Sequence, residues 1–425
     1  MVARNPLHLV ADPLFTFLAA RFGSDIRFLR LPEVVFGAAS VWLLWRLARP
    51  RLDRRRALLA AVFLAGSLFH IDWSIRLDFY ALLVALTLAQ SWALLAGAWR
   101  WYAGCAALFA YAHPYAWVVA AIHGVFLAVE RRPMRSWARA WASAAALALP
   151  WAIFSTKLLV TGPAFAGGSG GTAVWRTALL FAATPSTAAG LGAPGVSGAA
   201  LAALFAACWA VSLLRARRAA RGGLIRLAHL ALLAGPFVVL GLDRVFGYFF
   251  APRELLWLLP FYLLAVADGA VAAFDLSTAP RRGAIAAVLG GLTAFCLASG
   301  YVRTFSDYAA IGRRQRELVE AVRARAEPED AFVFDTRELA YCFLYDYDRE
   351  AFRALPPFEF RGAALEASSA ALKTGRLTAW VVSSPSDPSP YAPGRTWRVR
   401  GSVADVFVYP PVRIAPPAAR KGGST

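Results

Sequence analysis

The chain has 425 residues, enough by length for two or three soluble domains, yet 59% of them are hydrophobic, only 17% are charged and the mean hydropathy is +0.51. A soluble core of ordinary proportions cannot hide that much apolar surface, and the 15 Trp favour membrane–water interfaces; disorder, collagen and coiled coil are excluded, leaving a polytopic membrane protein. The net charge of +19 sits mostly in residues 1–302, where 27 Lys+Arg face 11 Asp+Glu, while residues 303–425 hold 18 against 15, so membrane topology explains it better than nucleic acid does.

A helix needs about 20 apolar residues to cross ~30 Å of hydrocarbon, fewer when its flanks snorkel. In chain order this predicts about ten spans, at 29–48, 57–71, 79–98, 101–112, 115–129, 140–156, 197–214, 227–242, 253–272 and 284–301. The fourth and fifth are short and meet at His113-Pro114-Tyr115. Alternate connections are rich in arginine: Arg46–Arg56, Arg100, Arg131–Arg139, Arg215–Arg226 and Arg281-Arg282 hold 18 basic residues, against five in the opposing loops. The positive-inside rule makes the arginine loops cytoplasmic and both termini extracytoplasmic. Met1–Val10 lacks the basic-then-apolar order of a cleavable signal peptide.

The outer loop Thr161–Ser197 is rich in Gly, Ala and Pro, with room for a short helix around Val174–Ala183. From 303 to 410 the pattern reads as a small extracytoplasmic α/β domain. It predicts helices near Gly312–Ala326 and Thr336–Tyr345, strands at Ala331–Phe334 and Ala379–Ser383, and a hairpin within Thr396–Tyr409. Ser383–Pro393 reads as a loop and 411–425 as a disordered tail. Cys105, Cys208 and Cys296 lie in apolar runs and Cys342 stands apart, so no disulfide framework follows.

Ionisable groups at span mouths are candidates for function. The densest cluster is His70-Ile71-Asp72-Trp73-Ser74-Ile75-Arg76-Leu77-Asp78-Phe79-Tyr80 at an outer mouth, where Arg76 and Tyr80 share a helix face at i, i+4 if the next helix starts near Arg76. It also fits a hydrated loop with a local ion pair. Arg253 opens a span behind Pro252, where an arginine either snorkels to headgroups or holds a phosphate in its planar fork. His113 is a third candidate, in a turn where a lone histidine is more often structural. No metal-ligand spacing, Walker loop, nucleophile elbow or dinucleotide fingerprint occurs, and Gly167–Gly171 follows no strand. Charge pairs buried within consecutive helices, the mark of proton-coupled transporters, are not apparent either.

The order of several segments resembles the GT-C glycosyltransferases, near the protein mannosyltransferase and lipid A aminoarabinose transferase family. These are Asn5-Pro6-Leu7-His8, Phe22-Gly23, Arg30-Leu31-Pro32 with Phe36-Gly37, Ile71–Tyr80, Tyr111–Tyr115 and Phe250–Pro260. The resemblance implies a membrane domain over 1–302 and a C-terminal α/β domain over 303–410. It further implies sugar transfer from a polyprenyl-phosphate donor to a glycan, lipid or protein acceptor outside the inner (plasma) membrane. Asp78 would assist the acceptor as catalytic carboxylate, Arg76 and Arg253 would hold phosphate, and Tyr80 and His113 would bind or position substrate. No cofactor and no nucleic-acid partner are expected, and the lipid-linked sugar is a substrate. One feature departs from the family: its members begin with a further helix and an outer loop bearing an acidic pair, whose aspartate is the presumed base, whereas only four residues precede Asn5 here. A longer natural chain is therefore expected. The alternatives are a non-catalytic paralogue and a lipid-carrier transporter of flippase type.

Overall fold

A computed structural model describes residues 26–76, 79–161, 196–218, 223–246, 252–324, 331–334, 378–383, 397–399 and 406–413. The chain divides into two compact units, Met1–Thr304 and Phe305–Thr425. In the first unit the described helices are α1 (Ile26–Ala48), α2 (Arg54–Gly66), α3 (Leu68–Ser74), α4 (Tyr80–Ala96), α5 (Trp99–Ala112), α6 (Tyr115–Val129), α7 (Met134–Thr161), α8 (Val196–Arg218), α9 (Gly223–Phe246) and α10 (Leu259–Leu276). A 3₁₀ segment (Pro252–Leu258) leads into α10, and α11 (Ala279–Arg323) begins in the first unit and ends in the second.

Local chemistry explains where the helices start and stop. Asp53 caps α2 by accepting the backbone N–H of Arg56 at 2.9 Å, and Ser67 caps α3 by accepting from His70 N at 3.4 Å. Gly97, at φ 68°, closes α4 in the left-handed conformation that a side chain disfavours. Pro114 cannot continue α5, so the chain turns at His113 and restarts as α6.

Each of the ten apolar segments is helical, but among the described residues five helices are long and apolar enough to cross a membrane alone, and six if α2 and α3 count as one broken span. The expected single span over 57–71 is that pair, bent by 58° where Ser67 leaves the helical conformation. Helices α4 and α6 are apolar but shorter, at 17 and 15 residues. The bundle is a multi-pass membrane unit. Large apolar side chains such as Phe237 (74% exposed), Val302 (71%) and Trp101 (70%) face outward, which hydrocarbon tolerates and water does not. The centre belongs to α10, where every residue from Leu259 to Ala270 is buried.

In the second unit the described strands β1 (Ala331–Phe334), β2 (Thr378–Ser383), β3 (Trp397–Val399) and β4 (Val406–Arg413) form a sheet in the order β1-β2-β4-β3. The β1–β2 pair is parallel, with Val333 opposite Val381; β2–β4 and β4–β3 are antiparallel, with an irregularity between Ala379 and Val381. The readings of Asn5–His8, Phe22-Gly23, Asp78, most of the 161–197 loop, the helix at Thr336–Tyr345, Cys342, the loop from 384 to 393 and the tail from 414 to 425 fall outside the described residues, whereas 411–413, expected to begin the disordered tail, are the end of β4, held by pairing with β2.

Close helix packing depends on small residues. A methyl group on Gly269 would collide with the carbonyl of Cys208, backbone that cannot move aside, so α8 and α10 would have to separate. Gly269→Ala should therefore destabilise the protein in detergent by about 1–3 kcal/mol in denaturant unfolding, whereas Gly290→Ala, which meets nothing within 4 Å, should be neutral or slightly stabilising.

Candidate functional site

The site grows from the bend between α2 and α3. Because α3 turns away from the axis of α2, its buried face carries His70, Asp72, Trp73 and Ser74 to one mouth of the bundle. Gly37 of α1 makes the turn possible: a side chain there would overlap Ser74, whose hydroxyl donates to His70 O at 2.7 Å.

Trp73 is the hub. Its ring is 5% exposed, and the edge of Tyr80 meets it at a centroid distance of 4.8 Å. The Arg76 guanidinium lies 4.6 Å from the ring centroid and that of Arg253 lies 6.0 Å from the same centroid. The two arginines, 177 positions apart in sequence, can thus be no further from each other than the sum of those distances. Cation–π contact with a partly dehydrated tryptophan is worth roughly 0.5–2 kcal/mol and orients each guanidinium.

Polar contacts complete the placement. Arg76 pairs with Asp72 at 2.9 Å, one helical turn back, and the Asp72 side chain is only 2% exposed. Arg253 donates its Nε–H to the Tyr80 hydroxyl at 3.1 Å, which fixes the plane of its guanidinium. Phe79 packs on Tyr80 at 4.5 Å and stacks on His113 at 5.2 Å. His113 then meets Tyr115 at 4.2 Å, and Tyr115 meets Trp257 at 6.5 Å, returning to the 3₁₀ segment that holds Arg253. The result is an aromatic belt with arginines set into it, able to hold an anion while excluding water from one side.

Of the residues singled out in the sequence, Arg76, Tyr80 and Arg253 meet around Trp73, and Asp78 lies outside the described residues. His113 sits in the same belt, buried, with Nδ1 accepting the backbone N–H of Tyr115 at 3.2 Å, so it also closes the α5–α6 turn. Trp73, Asp72 and Trp257 were not assigned roles by the sequence reading, nor was Glu33, a carboxylate on α1 that is 1% exposed. A glutamate inside an apolar span was a signal for the last of these. Among the described residues, no three His, Cys, Asp or Glu side chains cluster closely enough to hold a metal.

Tyr80→Phe should keep the ring packing and remove only the hydroxyl that anchors Arg253. We expect a loss of stability of about 1 kcal/mol in thermal unfolding, with no change in helix content by circular dichroism. An unchanged midpoint would mean that this hydrogen bond does not hold Arg253.

Residues 8–159 match the sequence model of the dolichyl-phosphate-mannose-protein mannosyltransferase family. No curated protein sequence matches the chain. Among solved structures, ArnT from Cupriavidus metallidurans in the apo state is similar at 13% identity and a TM-score of 0.56, over 96% of this chain and 88% of that one. The same protein bound to undecaprenyl phosphate is similar at 14% identity and a TM-score of 0.55, over the same shares of the two chains. Residues 8–159 are thus similar in sequence to that mannosyltransferase family, and the fold is similar to that of ArnT over nearly the whole chain.

Proposed function

We propose that the protein transfers a sugar from a polyprenyl-phosphate carrier to an acceptor hydroxyl at the outer face of the inner membrane. The observation that carries this reading is the convergence of Arg76 and Arg253 on Trp73 at one span mouth. A relative by fold, ArnT, binds undecaprenyl phosphate. In the reaction the acceptor oxygen attacks the anomeric carbon, the bond from that carbon to the phosphate oxygen breaks, and the electron pair leaves on the phosphate. Arg76 and Arg253 stabilise that developing charge through charge-assisted hydrogen bonds, Tyr80 holds Arg253 in place, and the acceptor proton passes to a carboxylate, for which Asp78 is the candidate. His113 shapes the turn beside the site.

The ten-span topology belongs to the same reading, with arginine-rich connections in the cytoplasm and an α/β domain from about residue 303 outside. Lipid tails enter between helices while the sugar faces the aqueous side. The acceptor is a glycan, a lipid or a protein.

Arg253→Lys keeps the charge and loses the fork, so it separates a phosphate site from a snorkelling anchor. With a polyprenyl-phosphate-linked sugar and the full chain in lipid nanodiscs, the variant should lose about 10- to 100-fold in transfer rate while its thermal midpoint falls no further than that of Tyr80→Phe, which loses the same hydrogen bond. Wild-type rates in the variant would remove Arg253 from the reaction. Binding of the carrier without any transfer by the wild type would favour the non-catalytic reading.

A further inference from the structure

The other end of the bundle holds a second set of arginines, reached by following the chain back from Trp73 along α3 and α2 to Arg56. Arg56 is saturated. Its Nε donates to Asp268 Oδ1 at 2.8 Å, Nη1 pairs with Asp53, and Nη2 lies 3.5 Å from Asp275 Oδ2. Asp268 also accepts from Ser212 Oγ at 2.7 Å; Ser212 meets His229 Nε2 at 3.2 Å, and His229 Nδ1 accepts from Trp209 Nε1 at 3.1 Å. This chain of bonds ties α2, α8, α9 and α10 together, and three carboxylates more than neutralise the one guanidinium. Arg56 and Asp268, 12% and 9% exposed, stand 212 positions apart on helices that are not consecutive in the chain.

Beside this network lies a cavity of about 250 Å³, walled in part by Arg51, Asp53, Arg56, Arg215, Ile225 and Asp268. Two of its three arginines are not answered by an anion. Arg215 Nη1 is buried and has no hydrogen-bond partner among the described residues. Arg51 donates Nη1 at 3.0 Å to the carbonyl of Leu47, one helical turn earlier. Among the described residues neither forms a salt bridge. The nearby carboxylates are committed elsewhere: Asp53, Asp268 and Asp275 to Arg56, and Glu130 to Arg226 at 2.6 Å. Burial pushes the Arg51 guanidinium below its ordinary pKa, and the charge of Arg132 pushes it the same way, so an anion there would relieve both effects.

We propose that this cavity is an anion site for a phosphate group, held between Arg51 and Arg215 at the arginine-rich end of the bundle. Phosphate fits better than carboxylate because a tetrahedral oxyanion can accept from two guanidinium forks that approach from different segments, the turn between α1 and α2 and helix α8. The group arrives either as the headgroup of an anionic phospholipid, whose chains the apolar wall at Ile225 suits, or as a soluble phosphate. The site is separate from the outer mouth and does not depend on the proposed sugar transfer.

The test uses the full chain in neutral detergent and reads the thermal midpoint in two titrations. One replaces chloride by inorganic phosphate at constant ionic strength; the other replaces phosphatidylcholine by phosphatidylglycerol. Wild type is compared with R215Q, R51Q and R215K, and with R282Q as an exposed control whose guanidinium bonds only backbone carbonyls among the described residues. Wild type and R282Q should be stabilised with the same half-saturation. R215Q and R51Q should need about tenfold more ligand, and R215K, which keeps the charge and folds most easily, should need more than wild type. Any phosphate bound at the outer arginines contributes equally to all these chains, so the difference isolates the cavity. A response to both probes assigns a phosphate group from either source, and a response to phosphatidylglycerol alone assigns the headgroup. No saturable stabilisation of wild type, or equal half-saturation in wild type and all three cavity variants, would overturn the proposal.

Discussion

A guanidinium at the mouth of an apolar bundle has little water around it and cannot discard its charge, so something local must answer it. That constraint organises both ends of the membrane unit. At one mouth, Asp72 and the face of Trp73 answer Arg76, while Tyr80 and the same tryptophan orient Arg253. At the other, three carboxylates answer Arg56 and Glu130 answers Arg226. Between them runs α10, buried along most of its length and pressed against α8 at Gly269. The 3₁₀ segment carrying Arg253 leads directly into α10, and Asp268 sits further along the same helix, so one rigid element positions charges at both ends.

The helical segments were legible because an apolar run is a one-dimensional signal, and burial or lipid contact satisfies it wherever it lies. The break within 57–71 was not, because it depends on Ser67 capping α3 and on Gly37 clearing space for Ser74, a contact between α1 and α3. Arg76 and Tyr80 could be picked out as neighbours on one short stretch. Their link to Arg253 needed the resemblance as well, since nothing local brings residue 253 to residue 80.

The hub itself was missed for a physical reason. A tryptophan near a span end reads as an interfacial anchor, and only the fold shows that Trp73 faces inward and is shared by two cations. Asp72 was passed over for a similar reason: its pairing with Arg76 at i, i+4 depends on α3 continuing to Ser74, whereas the sequence places a loop there. Arg56–Asp268 is the extreme case, a bond between a residue read as a loop charge and one read as part of a span. Side chains that meet across helices carry no periodicity by which to be found.

These contacts together describe a bundle in which two arginines are held in place at one mouth. The aromatic belt running from Trp73 through Phe79 and His113 to Trp257 supplies the rigidity, and the arginines supply the charge. The most direct measurement is an electron cryomicroscopy structure of the full chain in nanodiscs with a polyprenyl phosphate. The account predicts phosphate density between the Arg76 and Arg253 guanidinium groups beside the Trp73 ring. A lipid phosphate bound elsewhere on the outer face, with Arg253 turned away from Trp73 toward the bulk headgroups, would contradict it.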